Sequence, residues 1–443
     1  MQNISQKFIQ LLTQYVALQS ISTDISYQTE IDKTVEFLVG YMTTTGAVVT
    51  VIPGSQVNPL VVGSYHVNDS LPTVLIYGHY DVQPAGNTEA WSNKKPFELL
   101  EKEGRYIGRG VVDNKGQNLI HLYTVSELFQ SGDLGYNVKF LLEGNEESGN
   151  EELPGILDQN KELFKADYIL VSDGEIVADY PVMEKTLRGG GNIKITLTTA
   201  KSDLHSGIYG GATPSSSTEL IKLLDKLFDG NRITVPGFYD GLPEITDEVL
   251  QNNQLLASVS NPVASAGTKS LLPNLAYDFY THTGLLPTLE ITGIQTGYTG
   301  IGFANILPAV AEARINIRTV PPQDTAYIMD QVVTFLQENT PEYVRINIEV
   351  SDHGDGCTLN TDIPFANQIS QLLTTSYQKP VLYKNVGGSI PILKDFQEKL
   401  NIPVLSVSLG NDDCNMHGVD ENFQIDLIDK GLQFSKKLFT KNN

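Results

Sequence analysis

Four short stretches, TVLIYG (73–78), VKFLLEG (138–144), YILVS (168–172) and VLSVSLG (404–410), are apolar almost without interruption. A strand with one wet face alternates polar and apolar residues, whereas a strand covered on both faces does not have to. Segments with helical spacing separate these runs, notably 116–130 and 152–163. Buried strands alternating with helices predict an α/β fold whose mostly parallel sheet carries helices on both faces. The chain opens with helical patterns at 5–19, where Phe8, Leu11, Leu12, Tyr15 and Val16 share one face, and at 31–45, which stops at Gly46.

The middle of the chain follows a different rule. NIKITLTTA (192–200), LEITGIQTG (289–297), EARINIRTV (312–320) and YVRINIEVS (343–351) alternate polar and apolar residues, with helical patterns at 215–228 and 325–338 between them. One-faced strands with two helices predict a smaller α+β domain built on an antiparallel sheet. The α/β style returns after about residue 363, and 424–440 closes the chain as a helix. The expected organisation is therefore a catalytic-type domain over 1–186 and 363–443, interrupted by an inserted domain over 187–362.

Composition narrows the classes of function. At 443 residues the chain is long enough for two or three domains. Its 52 acidic against 30 basic residues give a net charge of −22. Nucleic-acid binding needs stripes of Lys and Arg, so no nucleic-acid partner is expected. No apolar run is long enough to span a membrane, and the start has no cationic, apolar leader, so a soluble cytoplasmic protein without a membrane partner is expected. Cys357 and Cys414 are the only cysteines, which excludes a disulfide framework and a thiolate zinc site. Cys414 stands three residues before His417, but with no companion cysteine it reads as a packed thiol.

The chemistry-bearing residues are grouped. His79 and Asp81 stand in GHYDVQP, Asp113 in RGVVDNKG, Glu146 and Glu147 in EGNEESG, Asp173 in VSDGE, and His417 in MHGVDE. Taken singly, each has an ordinary reading: a histidine in a turn, a Glu pair opening a helix, an Asp before Asn or Gly in a bend. Together they are less ordinary, because four of the five segments follow a predicted strand and the fifth precedes a helix. Open α/β sheets gather ligands outside their strand ends, so one crevice can collect all five segments.

Two histidines with several carboxylates and no thiolate form a donor set suited to Zn²⁺, Mn²⁺ or Co²⁺. So many acids in one crevice cannot all remain ionised without cations. Two divalent ions ~3.5–4 Å apart, sharing a carboxylate and a water, would satisfy that charge and supply a hydroxide and a polarised carbonyl. Asp81, two residues beyond His79, suits a carboxylate that fixes the imidazole tautomer. The motifs of zincins, serine hydrolases and P-loops are missing from the sequence.

In chain order, GHYDVQPAG, RGVVDNKG, EGNEESG, SDGE, LHSGIYGG, INIRTVPP, NVGGSIP and MHGVDE resemble the M20 family of di-metal aminoacyl hydrolases over nearly the whole chain. The likeness is to its carnosinase-like, cytosolic non-specific dipeptidase branch. It implies a catalytic domain with two divalent ions per subunit, Zn²⁺ foremost and Mn²⁺ or Co²⁺ otherwise, and an inserted lid through which the protein forms a homodimer. By the same resemblance Asp113 bridges the ions, His79 and Asp173 complete one, and Glu147 and His417 the other. Glu146 is the general base and Asp81 orients His79. His205 of LHSGIYGG reaches a partner's site to polarise the scissile carbonyl, and Arg318 of INIRTVPP clamps the substrate's free carboxylate. Asn305, His353 and Ser389 stand at positions of further substrate contacts. The peptide after the bridging Asp is cis in the family. Two positions depart from the pattern: Asn114 replaces a second Asp, and Asp420 stands where Asn is frequent.

The resemblance implies hydrolysis of dipeptides or short peptides with a free C-terminus. An N-acyl amino-acid hydrolase of the same fold, such as a succinyl-diaminopimelate desuccinylase or an aminoacylase, shares the metal core and stays open. So does a non-catalytic binding relative, although every ligand position and Glu146 are present.

Overall fold

A computed structural model of the chain describes residues 4–351, 353–388, 390 and 392–441. It divides into two compact units: Met1–Lys185 with Leu359–Lys384 and Ile392–Asn443, and Thr186–Thr358 with Asn385–Pro391. The short return of 385–391 to the second unit is a feature the sequence pattern did not signal.

The first unit is built on one large sheet, with a small antiparallel sheet of Leu100–Lys102, Arg105–Ile107 and Asn422–Gln424 besides. Strands Thr73–His79, Asn137–Glu143, Tyr168–Val171 and Val404–Ser408 lie parallel at its centre, in the spatial order 137–143, 73–79, 168–171, 404–408. Antiparallel strands extend both sides: Leu60–Tyr65 and then Val48–Ile52 beyond 137–143, and Val182–Leu187 beside 404–408. The four apolar runs of the sequence are thus the parallel core. Along Thr73–His79 every residue after the first is buried, although successive side chains point to opposite faces. Val74 and Ile76 join a core cluster with Phe8, Leu12, Leu119 and Phe434. Tyr77, on the other face, meets Phe396 edge-on at 5.3 Å between ring centroids. Both faces are therefore covered, which is why these strands carry no polar alternation.

The helices follow the sequence signals with local adjustments. Gln28–Thr44 ends as the glycine requires: Gly46 takes φ +104°, its N–H reaches Thr43 O, and the Ala47 N–H reaches Met42 O. The segment read as one helix over 152–163 is two, Leu153–Gln159 and Lys161–Phe164, broken at Asn160. Helix Lys115–Ser131 is buried on nearly every side. It packs on strand Thr73–His79 and on the C-terminal helix Ile425–Phe439.

The second unit has a four-stranded antiparallel sheet in the order 288–296, 310–319, 189–198, 345–350. Strands Gly189–Thr198 and Val310–Thr319 bury alternate residues, Ile193, Ile195, Leu197, Ala311, Ala313, Ile315 and Ile317, beneath helices Ser216–Asp225 and Thr325–Glu338. Between residues 246 and 286 lie three further helices, Asp247–Val259, Pro262–Ala266 and Phe279–Leu285. Among the described residues no helix is long and apolar enough to cross a membrane.

Candidate metal centre

The four parallel strands end on the same side, and their C-terminal connections carry the candidate site. His79 is the last residue of its strand, Asp173 follows Tyr168–Val171, Glu146 and Glu147 follow Asn137–Glu143, and His417 lies in the loop after Val404–Ser408. Asp113 stands two residues before helix Lys115–Ser131. The Asp113–Asn114 peptide is cis, as the resemblance implies.

The five side chains assemble around Asp113. Its Oδ1 lies 3.1 Å from His79 Nε2, and its Oδ2 lies 2.8 Å from His417 Nε2. His79 Nε2 is also 3.5 Å from Asp173 Oδ2, and His417 Nε2 is 3.2 Å from Glu147 Oε2. Two groups able to hold a cation result, His79–Asp113–Asp173 and Asp113–Glu147–His417, and they share Asp113. A carboxylate with each oxygen turned to a different ligand set is the arrangement a bridging ligand needs.

Asp81 secures this cluster from behind. Its carboxylate Oδ1 is 3.4 Å from His79 Nδ1 and accepts the Glu146 N–H, while Oδ2 accepts the Glu147 N–H and the Ser22 hydroxyl, the last at 2.7 Å. One buried acid therefore fixes the imidazole and the backbone of the Glu pair together. Gln83 Nε2 donates to Glu147 Oε2 at 2.8 Å, and Asn114 Nδ2 donates to Asp173 Oδ1 at 2.7 Å.

The electrostatics demand positive charge. Burial works against protonating His79, yet Asp173 and hydrogen bonds with Asp113, Asp173 and Asp81 hold its pKa well above the ordinary value. Hydrogen bonds to Asp113 and Glu147 push His417 up to about 10. Asp113 moves down, because the two histidines outweigh its burial. Burial, with Asp173, Glu147 and Asp113 nearby, raises Glu146, and burial beside Asp81 pushes Glu143 up to about 8. Protons on the histidines meet the demand in part. Divalent cations with neutral imidazoles meet it more fully, so the donor set of two imidazoles and three carboxylates fits a pair of such ions.

The remaining candidates lie in the second unit. His205 pairs with Ile306 in a two-residue ladder, and the Ser206 N–H donates to Asn305 O at 2.9 Å, so His205 and Asn305 are neighbours. His205 Nδ1 accepts the Gly207 N–H at 3.0 Å. In the neutral ring that leaves Nε2 protonated, an outward hydrogen-bond donor. Arg318 sits half-buried on strand Val310–Thr319 opposite Gly190, and Gly190 in turn bridges Gly354, next to His353. Those two candidates therefore share one end of the sheet. Arg318 has a second guanidinium near it: burial and Arg318 together lower Arg188 to about 10. Ser389 lies outside the described residues.

Several supporting residues escaped the sequence reading: Ser22, Gln83, Arg109, Glu143 and Glu421. Gln83, Arg109 and Glu421 stand inside or beside the motif segments GHYDVQP, RGVVDNKG and MHGVDE. For Arg109, Glu143 and Glu421 a buried charge was the missing signal, and charge burial is not legible without the fold. Cys414 is buried, with its thiol donating to Glu175 Oε1, as a packed thiol should be.

Comparison with known proteins places this site in context. The Cys-Gly metallodipeptidase of Candida albicans is 30% identical over 96% of this chain and 92% of its own length. The crystal structure of human carnosine dipeptidase 1 superposes with a TM-score of 0.83 at 25% identity, covering 98% of this chain and 95% of that one. The M20 family metallo-carboxypeptidase of Sulfolobus solfataricus gives a TM-score of 0.84 at 25% identity over 98% of both chains. The profile of Peptidase family M20/M25/M40 matches residues 75–441, a span that contains every ligand candidate, and the chain belongs to that family.

Proposed function

We propose that this M20 peptidase is a metal-dependent dipeptidase that hydrolyses dipeptides and short peptides with a free C-terminus. The observation that carries the reading is Asp113, whose two oxygens address two separate His-and-carboxylate sets. The names of the relatives support the substrate class: one is a Cys-Gly metallodipeptidase and another a carnosine dipeptidase.

His79 and Asp173 would hold one divalent ion, Glu147 and His417 the other, and Asp113 both. When bound, the pair supplies a nucleophile at neutral pH and a Lewis acid toward the scissile carbonyl. Glu146 takes the proton of the attacking water and returns it to the leaving amine. Its burial among acids raises its pKa, which suits a group that must both accept and release a proton. Asp81 holds the His79 tautomer and the backbone of Glu146 and Glu147.

The second unit, in this proposal, is a lid that also makes a homodimer. Arg318 takes the substrate's free carboxylate, for which a planar guanidinium is suited. The His205 Nε2–H donates to the carbonyl oxygen of a substrate bound in the partner subunit. Asn305, His353 and Ser389 are further substrate contacts. Zn²⁺ as the ion loaded, with Mn²⁺ or Co²⁺ as substitutes, and a cytoplasmic location complete the reading.

The test is amino-acid release from Ala-Ala and Cys-Gly, set against acetyl-alanine and succinyl-diaminopimelate, before and after chelation and with Zn²⁺ or Mn²⁺ restored. The proposal expects dipeptide turnover that chelation abolishes and metal restores. Turnover confined to the N-acyl substrates would replace dipeptidase by N-deacylase.

A further inference from the structure

Helix Lys115–Ser131 carries polar residues where a buried helix ordinarily carries apolar ones. Asn114, Asn118 and His121, at i, i+4 and i+7, lie on one edge of the helix and its cap. Asn114 is 0% exposed, Asn118 1% and His121 0%. Asn114 holds the candidate ligand Asp173, and the metal reading gives no role to Asn118 or His121.

Their hydrogen bonds converge on one pair of candidate ligands. Asn118 Nδ2 donates to the carbonyl of His79 at 2.9 Å and to Asn114 Oδ1 at 3.3 Å. Asn114 Nδ2 donates to Asp173 Oδ1 at 2.7 Å and to the Ser172 carbonyl at 2.6 Å. One turn further on, His121 Nε2 meets Ser172 Oγ at 3.0 Å, and its Nδ1 meets Ser435 Oγ at 3.1 Å on the C-terminal helix. The row thus grips the end of the His79 strand and the end of the Asp173 strand together. Gly78 allows the approach, since a Cβ there would stand 2.7 Å from Asn114 Oδ1 and 3.0 Å from Asn118 Cβ. Burial keeps the His121 ring neutral, with a pKa of about 3, so it can serve as donor to one hydroxyl and acceptor from the other.

The second ligand pair is held from elsewhere, with Arg109 Nη2 donating to the His417 carbonyl at 3.1 Å. The His417 side chain is 53% exposed, and its backbone sits at φ +59° in a loop. Glu147 is held by Gln83 and by the Asp81 contact to its N–H.

We propose that Asn118 and His121 are positioning residues that, through Asn114 and Ser172, pre-set His79 and Asp173, so that this row of side chains serves one of the two ion sites. The inference rests on the metal reading above. Groups behind metal ligands commonly change affinity ~10–100-fold when removed, because the ligands must otherwise be ordered as the ion binds.

The test is titration of apo-protein with Co²⁺ alone, read from its visible absorption. In a His417→Ala background the His79–Asp173 set remains, and in an Asp173→Ala background the Glu147–His417 set remains. Asn118→Leu, and separately the milder Ser172→Ala, should weaken Co²⁺ binding ~10–100-fold in the first background and leave it unchanged in the second. Circular dichroism of each variant checks that it is folded. Unchanged affinity in the first background would overturn the proposal. Equal losses in both would also overturn it, because they would mark a general structural role. If the unsubstituted apo-protein bound no Co²⁺, the metal reading itself would fall, and this inference with it.

Discussion

Arg109 and Glu421 form a buried ion pair, Nη1 to Oε2 at 2.7 Å, that ties together the two loops carrying Asp113 and His417. Glu421 also accepts the backbone N–H groups of Gly110, Val112 and Asp113. Arg109 donates through Nη2 to the carbonyls of His417, Gly418 and Pro84. Both Nη groups of Arg109 and both carboxylate oxygens of Glu421 are thereby engaged by the loops they join, Arg109 Nε alone finds no partner among the described residues, and the guanidinium lies over the Trp91 ring at 5.4 Å. The pair is 312 residues apart in sequence, which makes it a direct brace between the start and the end of the first unit.

Breaking that brace should be costly. Glu421→Ala leaves a buried guanidinium without its counter-charge and three backbone donors without an acceptor. Loss of one partner of a buried pair typically destabilises by about 3–5 kcal/mol. Urea denaturation of the apo-protein reads this directly. A loss below about 1 kcal/mol would show that water reaches Arg109 and that the brace is not buried in solution.

The general-base role of Glu146 separates from metal binding. Glu146→Gln should keep two ions per chain by elemental analysis while lowering kcat by ~10²–10⁴-fold. Loss of metal in that variant, with metal retained in Glu147→Gln, would mean that the two glutamates exchange roles.

How much of this was legible beforehand depends on the kind of burial involved. Apolar burial writes itself into sequence as runs and periods, so the strands at 73–79, 137–143, 168–171 and 404–408 and the alternating strands of the second unit could be read. The site residues could be read because parallel strands deliver their C-terminal loops to one place. Strand Val48–Ile52 was missed because it lies at the edge of the sheet, with Val48 74% and Val51 41% exposed, so its apolar residues obey no core pattern. Of the three helices between 246 and 286, the longest buries only Asn253 and Leu256 and the shortest buries none, while Phe279–Leu285, with Tyr280, Thr281, Gly284 and Leu285 buried, is too short to show a period. Helix Lys115–Ser131 was read as a helix, but its inward Gln117, Asn118 and His121 look like any polar residues in a one-dimensional pattern. Only the fold shows what they face.

Burial of His121 makes a pH prediction. Desolvation lowers its pKa from 6.5 to about 3 in the folded state. Below pH 6.5 the unfolded chain takes up a proton that the folded chain refuses, so this residue's contribution is complete above 6.5 and falls as the pH drops toward 3. The slope is about 1.4 kcal/mol per pH unit within that window. His121→Gln removes the titration, so the stability gap between the native and variant apo-proteins should shift by about 1–2 kcal/mol against the native protein between pH 6.5 and 5. A gap independent of pH would show that the imidazole is protonated or hydrated in the folded state.

Arg318 should decide substrate class. If its guanidinium pairs with a free carboxylate, Arg318→Ala should lower kcat/KM for Ala-Ala by ~10–100-fold, the value of a charge-assisted hydrogen bond of about 1.5–3 kcal/mol. Ala-Ala-amide, which offers no carboxylate, should lose far less. Equal losses on both substrates would make Arg318 a structural residue of its strand.

The final prediction concerns whether one active site draws on two chains. His205 lies in the second unit, and its ring already caps a turn through Nδ1, which leaves Nε2–H as the free donor. A donor aimed at the oxygen where charge develops is commonly worth ~10²–10³ in rate. The proposal places that donor in the partner's site, and complementation decides between the partner's site and its own. His205→Ala and Glu146→Ala are each expected to be nearly inactive alone. Mixing them and allowing subunits to exchange yields hybrid dimers. If His205 acts across the dimer, one site of each hybrid has both groups intact and activity returns toward a quarter of the native value, since half the dimers are hybrids and each has one complete site of two. If it acts within its own chain, each site of the hybrid lacks one group and the mixture stays inactive. Continued inactivity, with exchange confirmed by mass spectrometry of differently labelled chains, would exclude the shared site.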